Sequence, residues 1–100
     1  MADFARIVGF QWDERNARKS LDKHSVSQAE AEQVFFTEPL LVVEDVKHSR
    51  LEPRFQALGI TNSGRRFHVT FTLREENTKI RVISARDMHG KERSRYGKET

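Results

Sequence analysis

The sequence predicts an α+β protein: an antiparallel sheet of four to five strands, two N-terminal helices on one face, and a short C-terminal helix. The first third has helical spacing of its apolar residues. Residues 66–73 alternate strictly between apolar and polar side chains, as a half-buried strand does. Residues 79–86 form a β-branched run that leads into a basic segment. The predicted order is strand, two helices, four antiparallel strands, helix.

The first strand is predicted over residues 4–12 and ends at Asp13, a good helix N-cap. The helix over residues 13–24 repeats Ala17 and Leu21 at the i, i+4 spacing of an apolar face. A second row at the same spacing is a basic ridge made of Arg15, Lys19 and Lys23. Such a ridge is typical either of an ordinary solvent-facing helix or of a surface for a polyanion.

A second helix is predicted to begin at Ser27, because Ser27 and Glu30 form a capping-box pattern. Its apolar face consists of Ala31, Val34 and Phe35. Pro39 ends it, since proline disfavours helical geometry in the residue before it. Residues 40–44 are predicted as a strand, and residues 45–53, which include His48, as an exposed loop.

A hairpin is predicted next, with arms over residues 54–60 and 66–73 and a turn at 61–64. The second arm should have one buried face and one polar face. The predicted core residues are Phe67, Val69, Phe71 and Leu73, and the predicted polar face is Arg66, His68, Thr70 and Thr72. A turn at 75–77, a strand over 79–86 and a terminal helix over 91–96 complete the chain.

Length and composition predict one domain over residues 1–100, with no separate cofactor domain. The chain has 36% hydrophobic and 33% charged residues and no cysteine, so disulfides and thiolate metal sites are excluded. Because Asp3 precedes no long apolar run, we expect neither a signal peptide nor a membrane span. A cytoplasmic protein is the expectation.

The sequence predicts no metal or nucleotide cofactor. The histidines lie far apart at positions 24, 48, 68 and 89, and no glycine-rich phosphate loop occurs. Residues 79–100 hold seven Lys or Arg against three Asp or Glu, whereas the whole chain carries a net charge of +3. Clustered cations indicate a phosphate-rich partner, although a solvated basic helix is an equally ordinary interpretation.

Cations on a polar sheet face are the candidates for chemistry. Arg66 and His68 should lie near Arg81, Arg86 and Arg93. Preorganised cations stabilise the extra negative charge that develops on phosphorus during RNA cleavage. The candidates for moving protons are His24, His68 and Lys23.

The alternation of side chains along a strand raises a question about which sheet face two of these arginines reach. In a regular strand Arg81 and Arg86 point to opposite faces, so only a bulge or the strand end brings both to one site. We expect the Arg86 guanidinium to be open to a phosphate, whose oxygens match its forked donors. The alternative is that Arg86 pairs with Glu92 and ties the terminal helix to the sheet.

Several short motifs, in collinear order over roughly residues 7–96, together resemble the BrnT toxin family. They are Phe10-Gln-Trp-Asp-Glu14, Lys23-His24, Val34-Phe35-Phe36, Arg54-Phe55 with Leu58-Gly59, Phe71-Thr72, Ile83-Ser-Ala-Arg86, Glu92-Arg93 and Tyr96. The resemblance implies a RelE-like fold and a metal-independent ribonuclease that arrests translation. It also implies neutralisation by a BrnA-type antitoxin with a ribbon-helix-helix part.

Carried over from the family, the expected catalytic positions are Lys23, Arg66, Arg81 and Arg86. The expected RNA-binding positions are Arg15, Lys19, His24, His68 and Arg93. The expected partners are mRNA, free or on the ribosome, and an antitoxin in a hetero-oligomer that binds operator DNA through the antitoxin. The alternative is a non-catalytic module or co-repressor of the same fold, whose basic face docks an acidic partner.

The chain departs from the family pattern at three positions that bear on the site. Ser25 stands where the family usually has glycine, and Gln28 stands where it usually has phenylalanine. Asp87 follows Arg86 where a basic residue is usual, so a negative charge is expected beside the RNA-binding surface.

Overall fold

A computed structural model describes residues 6–100. The start of the predicted first strand, at residues 4 and 5, lies outside this range. The elements are β1 (Gly9–Trp12), α1 (Glu14–His24), α2 (Gln28–Gln33), β2 (Leu41–Glu44), a short 3₁₀ helix (Val46–His48), β3 (Arg54–Ile60), β4 (Arg66–Arg74), β5 (Lys79–Asp87) and α3 (Gly90–Glu99). Over the described residues, no helix is both long enough and apolar enough to cross a bilayer.

The five strands form one mixed sheet in the order β1-β5-β4-β3-β2. The predicted α+β class and the four antiparallel strands β2 to β5 are confirmed. β1 joins the sheet by a parallel pairing in which Gly9 lies opposite Lys79. Between β1 at one edge of the sheet and β2 at the other, α1 and α2 carry the chain across it.

The main core lies between α2 and one face of the sheet, which we call the helix face. The predicted core face of β4 is confirmed at Phe67, Val69 and Phe71, which are fully buried there, whereas the fourth predicted residue, Leu73, is only partly buried against this core. The Phe71 ring meets Phe35 edge-on at 5.1 Å and stacks on Phe55 at 5.4 Å. Rings in these arrangements add attraction beyond the area that they bury.

The opposite face of β4 carries the predicted polar side chains, but two of them are buried. His68 and Thr72 are only 5% and 1% exposed. A second, smaller core of Leu58, Met88 and Tyr96 holds α3 against this face beside His68. Thr72 lies farther along β4 from α3 and is covered by the loop that ends at Pro53. Its hydroxyl donates to the Pro53 carbonyl at 2.7 Å.

The predicted caps of the first two helices are confirmed. Asp13 Oδ1 accepts a hydrogen bond from the Arg15 N–H, and Ser27 and Glu30 form the reciprocal capping box. The predicted apolar face of α1 is wrong at Leu21, which is 53% exposed. The buried residue of α1 is Ser20, whose hydroxyl accepts the Ala85 N–H at 3.2 Å. β1 stops pairing at Val82, so this β5 donor lacks a strand partner and α1 supplies one.

Candidate functional site

A bulge in β5 decides which face its arginines reach. Thr70 lies opposite Ser84, but the next residue, Phe71, lies opposite Val82, so Ile83 is an extra residue in β5. The extra residue shifts the alternation by one. Arg81 then lies opposite Thr72, and Arg86 lies opposite His68.

Thr72 and His68 are four residues apart in β4, so both point to the face opposite the helix face. Arg81 and Arg86 therefore share that face, at positions about 13 Å apart along the strands. The bulge therefore explains how Arg81 and Arg86 reach one face, although a regular strand would point them to opposite faces.

We call the open part of this face the trough. Its floor is a row of cross-strand neighbours, Gln56, Thr70 and Ser84, of which Thr70 belongs to the predicted polar face. Ser84 is exposed and the other two are half-buried. α3 closes one end of the trough beside Arg86, and the loop that ends at Pro53 closes the other end beside Thr72.

Arg86 is engaged by Glu92 in the structure. Its Nη1 and Nη2 atoms donate to the two Glu92 carboxylate oxygens at 2.7 and 2.8 Å. The expectation of an open Arg86 guanidinium is therefore wrong. Glu92 also accepts the His89 N–H at the start of α3, which fixes the carboxylate in line with the arginine fork.

His68 lies beside this ion pair. Its Nε2 atom is 3.8 Å from Glu92, and among the described residues its buried Nδ1 atom has no hydrogen-bond partner. Burial lowers the pKa of His68, and the Arg86 cation lowers it further, with only partial opposition from Glu92. His68 is therefore neutral near pH 7, and direct contact with RNA would require α3 to move.

Arg81 is the more accessible of the two β5 arginines. Its guanidinium lies 3.6 Å from Asp13 Oδ2, and 29% of its side chain is exposed. This pair is longer than the Arg86–Glu92 pair and is not bidentate, so less is lost when a phosphate takes its place. Arg54 stands on the same row, because both arginines lie opposite Thr72.

The basic ridge of α1 projects away from α2. Leu21 and Ala17 share a depression with Ser27 and Gln28, so that flank of α1 faces α2. Lys23 lies roughly 160° around the helix from Leu21, at 3.6 residues per turn. The ridge therefore lies on the flank of α1 opposite the one that faces α2. Its three members Arg15, Lys19 and Lys23 are exposed.

Arg66 and Arg93 meet in a surface depression next to α3, together with Met88 and the acidic residue Asp87. Arg93 donates to the Met88 carbonyl at 2.8 Å, which orients its guanidinium beside Arg66. The other candidate of the basic set, His24, is exposed at the end of α1. The predicted cations thus fall into three groups: the α1 ridge, the trough arginines, and the Arg66–Arg93 pair.

Asp87 is held away from the trough. It lies opposite Phe67 in the sheet, so its side chain points to the helix face, and its Oδ1 atom is 3.4 Å from Arg65. Arg65 also pairs with Glu30 at 2.9 Å. The expected negative charge beside Arg86 is thus turned to the other face and partly neutralised.

Sequence reasoning missed most of the floor of the trough and its Arg54 end. A signal for the bulge in β5 was available in the sequence. Ile83 and Ser84 stand between the apolar residues Val82 and Ala85, and two successive residues between core positions indicate a bulge. Within residues 6–100, no group of three or more potential ligands could hold a metal ion.

Fold and site place the chain among small α+β proteins that present several cations around an open sheet face. Residues 12–92 match the model of the family described as ribonuclease toxin, BrnT, of type II toxin-antitoxin system. Since the match spans most of the chain, the chain belongs to the BrnT family of ribonuclease toxins.

A solved structure supports the fold. The crystal structure of the Brucella abortus ribonuclease toxin BrnT superimposes with a TM-score of 0.63, covering 82% of this chain and 97% of that one. The sequences are 23% identical, so the similarity is one of fold. No curated protein matches the chain by sequence.

Proposed function

We propose that the chain is a metal-independent endoribonuclease that cleaves mRNA, free or on the ribosome, and so arrests translation. The observation that carries the proposal is the β5 bulge, which brings Arg81 and Arg86 to one open face. Membership in a family of ribonuclease toxins supports RNA as the substrate.

The proposed chemistry is attack of a ribose 2′-oxygen on the adjacent phosphorus. A new P–O bond forms to the 2′-oxygen, the P–O5′ bond breaks, and the 2′-hydroxyl proton leaves as the 5′-oxygen gains one. Negative charge builds on the phosphoryl oxygens in the transition state, where fixed cations stabilise it most. We propose Arg81 for this role at the scissile phosphate. We propose Arg86, Arg66 and Lys23, which lie farther along the surface, as the further catalytic cations that neutralise the bound RNA around it.

Arg86 takes part only when a phosphate displaces Glu92, because Glu92 occupies both arms of its fork. The remaining cations, Arg15, Lys19, His24 and Arg93, hold the RNA backbone on either side. In this proposal His68 lies beneath the RNA-binding surface, where it packs against the Arg86–Glu92 pair. The proposal requires no side chain that reads bases, so the contacts with RNA are mainly to its phosphates.

The proposed partner is a BrnA-type antitoxin with a ribbon-helix-helix part, in a hetero-oligomer that binds operator DNA through the antitoxin. The family's place in type II toxin-antitoxin systems supports a protein antitoxin. We place the complex in the cytoplasm, where mRNA and ribosomes are found.

The test is cleavage of RNA by the purified chain in EDTA, with and without ribosomes. We expect cleavage in EDTA, and a loss of about 100-fold or more in Arg81→Gln, as for removal of one transition-state donor. Lys98→Gln, an exposed cation on α3, is the matched control and should cleave normally. Cleavage that requires added Mg²⁺, or none at all under either condition, would contradict the proposal.

One observation favours a non-catalytic alternative. The bidentate Arg86–Glu92 pair leaves Arg86 without a free fork, as in a structural tie between α3 and the sheet. A chain of this kind would bind RNA or an acidic protein without breaking a bond. RNA that is retained by the chain but recovered intact would identify the alternative.

A further inference from the structure

The loop from Asp45 to Arg54 is built to hold one shape. Asp45 caps the 3₁₀ helix by accepting the His48 N–H, and its Oδ2 atom accepts from Gln56 Nε2 at 3.1 Å. Ser49 donates to the Asp45 carbonyl at 2.6 Å and accepts the Arg54 N–H at 2.9 Å. These hydrogen bonds tie residues 45–49 to Arg54 and Gln56, which restrains the shape of the loop.

The same loop points apolar side chains into solvent. Leu51 is fully exposed at 101%, and Val46 is 76% exposed. A single exposed aliphatic residue is ordinary, but two on one short, internally bonded loop indicate a contact surface. A preorganised loop binds with a smaller loss of conformational entropy.

The groove beside Leu51 is basic. It is lined by Lys47, His48, Arg50, Leu51, Glu52 and Arg54. Its one carboxylate, Glu52, is already paired with Arg74 at 3.0 Å. Among the described residues, Lys47 and Arg50 have no ion-pair partner, so the groove offers uncompensated positive charge around an apolar centre.

This combination fits an acidic protein segment better than RNA. Cations hold the phosphates of RNA and aromatic rings stack on its bases, so exposed aliphatic side chains such as Leu51 and Val46 add nothing to RNA binding. Protein interfaces join an apolar anchor to a rim of complementary charge.

We propose that this loop is a docking surface for the antitoxin, which inserts an acidic, amphipathic segment with its apolar side on Leu51. The inference rests on the proposed toxin function for the identity of the partner. Arg54 belongs both to the groove and to the row that ends the trough, so a segment seated on the loop extends over the RNA-binding face. Docking here therefore also explains how the antitoxin blocks the toxin.

The test measures the affinity of the full chain for its purified cognate antitoxin by calorimetry. Leu51→Asp and the double variant Lys47→Glu/Arg50→Glu should each weaken binding by about tenfold or more, as expected for loss of an interface anchor. The matched controls are Leu21→Asp on α1 and Lys98→Glu on α3, which should bind normally. Melting temperatures should stay unchanged, since all the altered side chains are exposed.

RNA cleavage by the same variants, without antitoxin, separates this inference from the toxin function. We expect cleavage equal to that of the unaltered chain, and growth arrest that the antitoxin no longer reverses. Unchanged antitoxin affinity in the loop variants would overturn the inference, as would failure of the unaltered chain to bind the antitoxin. Loss of RNA binding with normal antitoxin affinity would assign the loop to RNA. A chain that binds the antitoxin through Leu51 but cleaves no RNA would refute only the proposed ribonuclease.

Discussion

Arg86 illustrates how one side chain serves two partners with the same geometry. Its planar fork matches the oxygens of a phosphate, and it matches the oxygens of a carboxylate equally well. The structure places Glu92 within reach because the first turn of α3 fixes that carboxylate. The residue type therefore identifies the kind of partner, while the position of α3 selects which partner is bound.

Substitution of either member of the Arg86–Glu92 pair should destabilise the chain. The pair is bidentate and about three-quarters buried, so Arg86→Ala and Glu92→Ala should each cost about 1–3 kcal/mol. Thermal unfolding should show both losses. Arg86→Lys keeps the charge but loses the fork, so it should fold and yet fail to arrest growth. Full growth arrest by Arg86→Ala would contradict a catalytic Arg86.

The pair should also make stability depend on pH. The Arg86 guanidinium lowers the pKa of Glu92 from 4.5 to about 2. The stabilisation is complete above pH 4.5 and is lost as the pH falls towards 2, by roughly 3 kcal/mol in all. Denaturant unfolding at pH 7 and pH 3 should show a smaller decrease for Glu92→Gln than for the unaltered chain. His68 should make the unaltered chain and Glu92→Gln less stable in acid as well. Folding lowers the pKa of His68, so its protonation as the pH falls favours the unfolded state.

Ser25 has a backbone conformation that favours glycine, the residue that the family resemblance leads us to expect there. It ends α1 with φ 54° and ψ 37°, the left-handed conformation that a side chain disfavours. Ser25→Gly should therefore stabilise the chain by about 0.5–1 kcal/mol. Chemical denaturation can measure this gain. Gly64, with φ 89° in the β3–β4 turn, is the converse control, and Gly64→Ala should destabilise. A Ser25→Gly variant less stable than the original would contradict the argument.

At the scale of elements, the hairpin and the bulge determine which side chains share a face. Alternation in β4 places Phe71 in the core and Thr70 in the trough. The bulge at Ile83 then gives β5 two successive residues outside the core, which returns Arg86 to the face of Arg81. A regular β5 would separate these arginines, so the candidate site depends on one inserted residue.

Phe71 should be among the most costly positions to truncate. It is fully buried between Phe35 and Phe55, so Phe71→Ala leaves a cavity and should cost about 3–5 kcal/mol. Its neighbour on the other face, Thr70, is half-buried in the trough, and Thr70→Ala should cost less than about 1 kcal/mol. Urea unfolding of the two variants compares them directly. Similar losses for both would contradict the register.

At the scale of the whole molecule, the cations form three groups. Arg54 and Arg81 lie at one end of the trough, the Arg66–Arg93 pair lies next to α3, and the ridge lies along α1. These cations come from segments far apart in the sequence. The net charge of +3 is small, so the arrangement of the cations, more than their sum, produces the attraction for a polyanion.

RNA binding should be strongly salt-dependent. Each phosphate contact releases counterions from single-stranded RNA, so the logarithm of affinity should fall with the logarithm of salt at a slope of about −0.7 per contact. Filter binding between 50 and 200 mM salt, roughly the range over which such losses are large, measures this slope. Lys23→Gln should reduce its magnitude by about 0.7, and Lys98→Gln should leave it unchanged. A flat titration would exclude a phosphate-dominated interface.

The sequence alone determined the α+β class, the helix caps at Asp13 and Ser27, the four antiparallel strands and the core face of β4. These features depend on local periodicity and on capping chemistry, which a chain of neighbouring residues contains in full. Only the tertiary structure decided that β1 pairs in parallel, that His68 is buried and that Arg86 is held by Glu92. Each of these depends on where a distant element packs, and packing is set by the sum of many contacts across the fold.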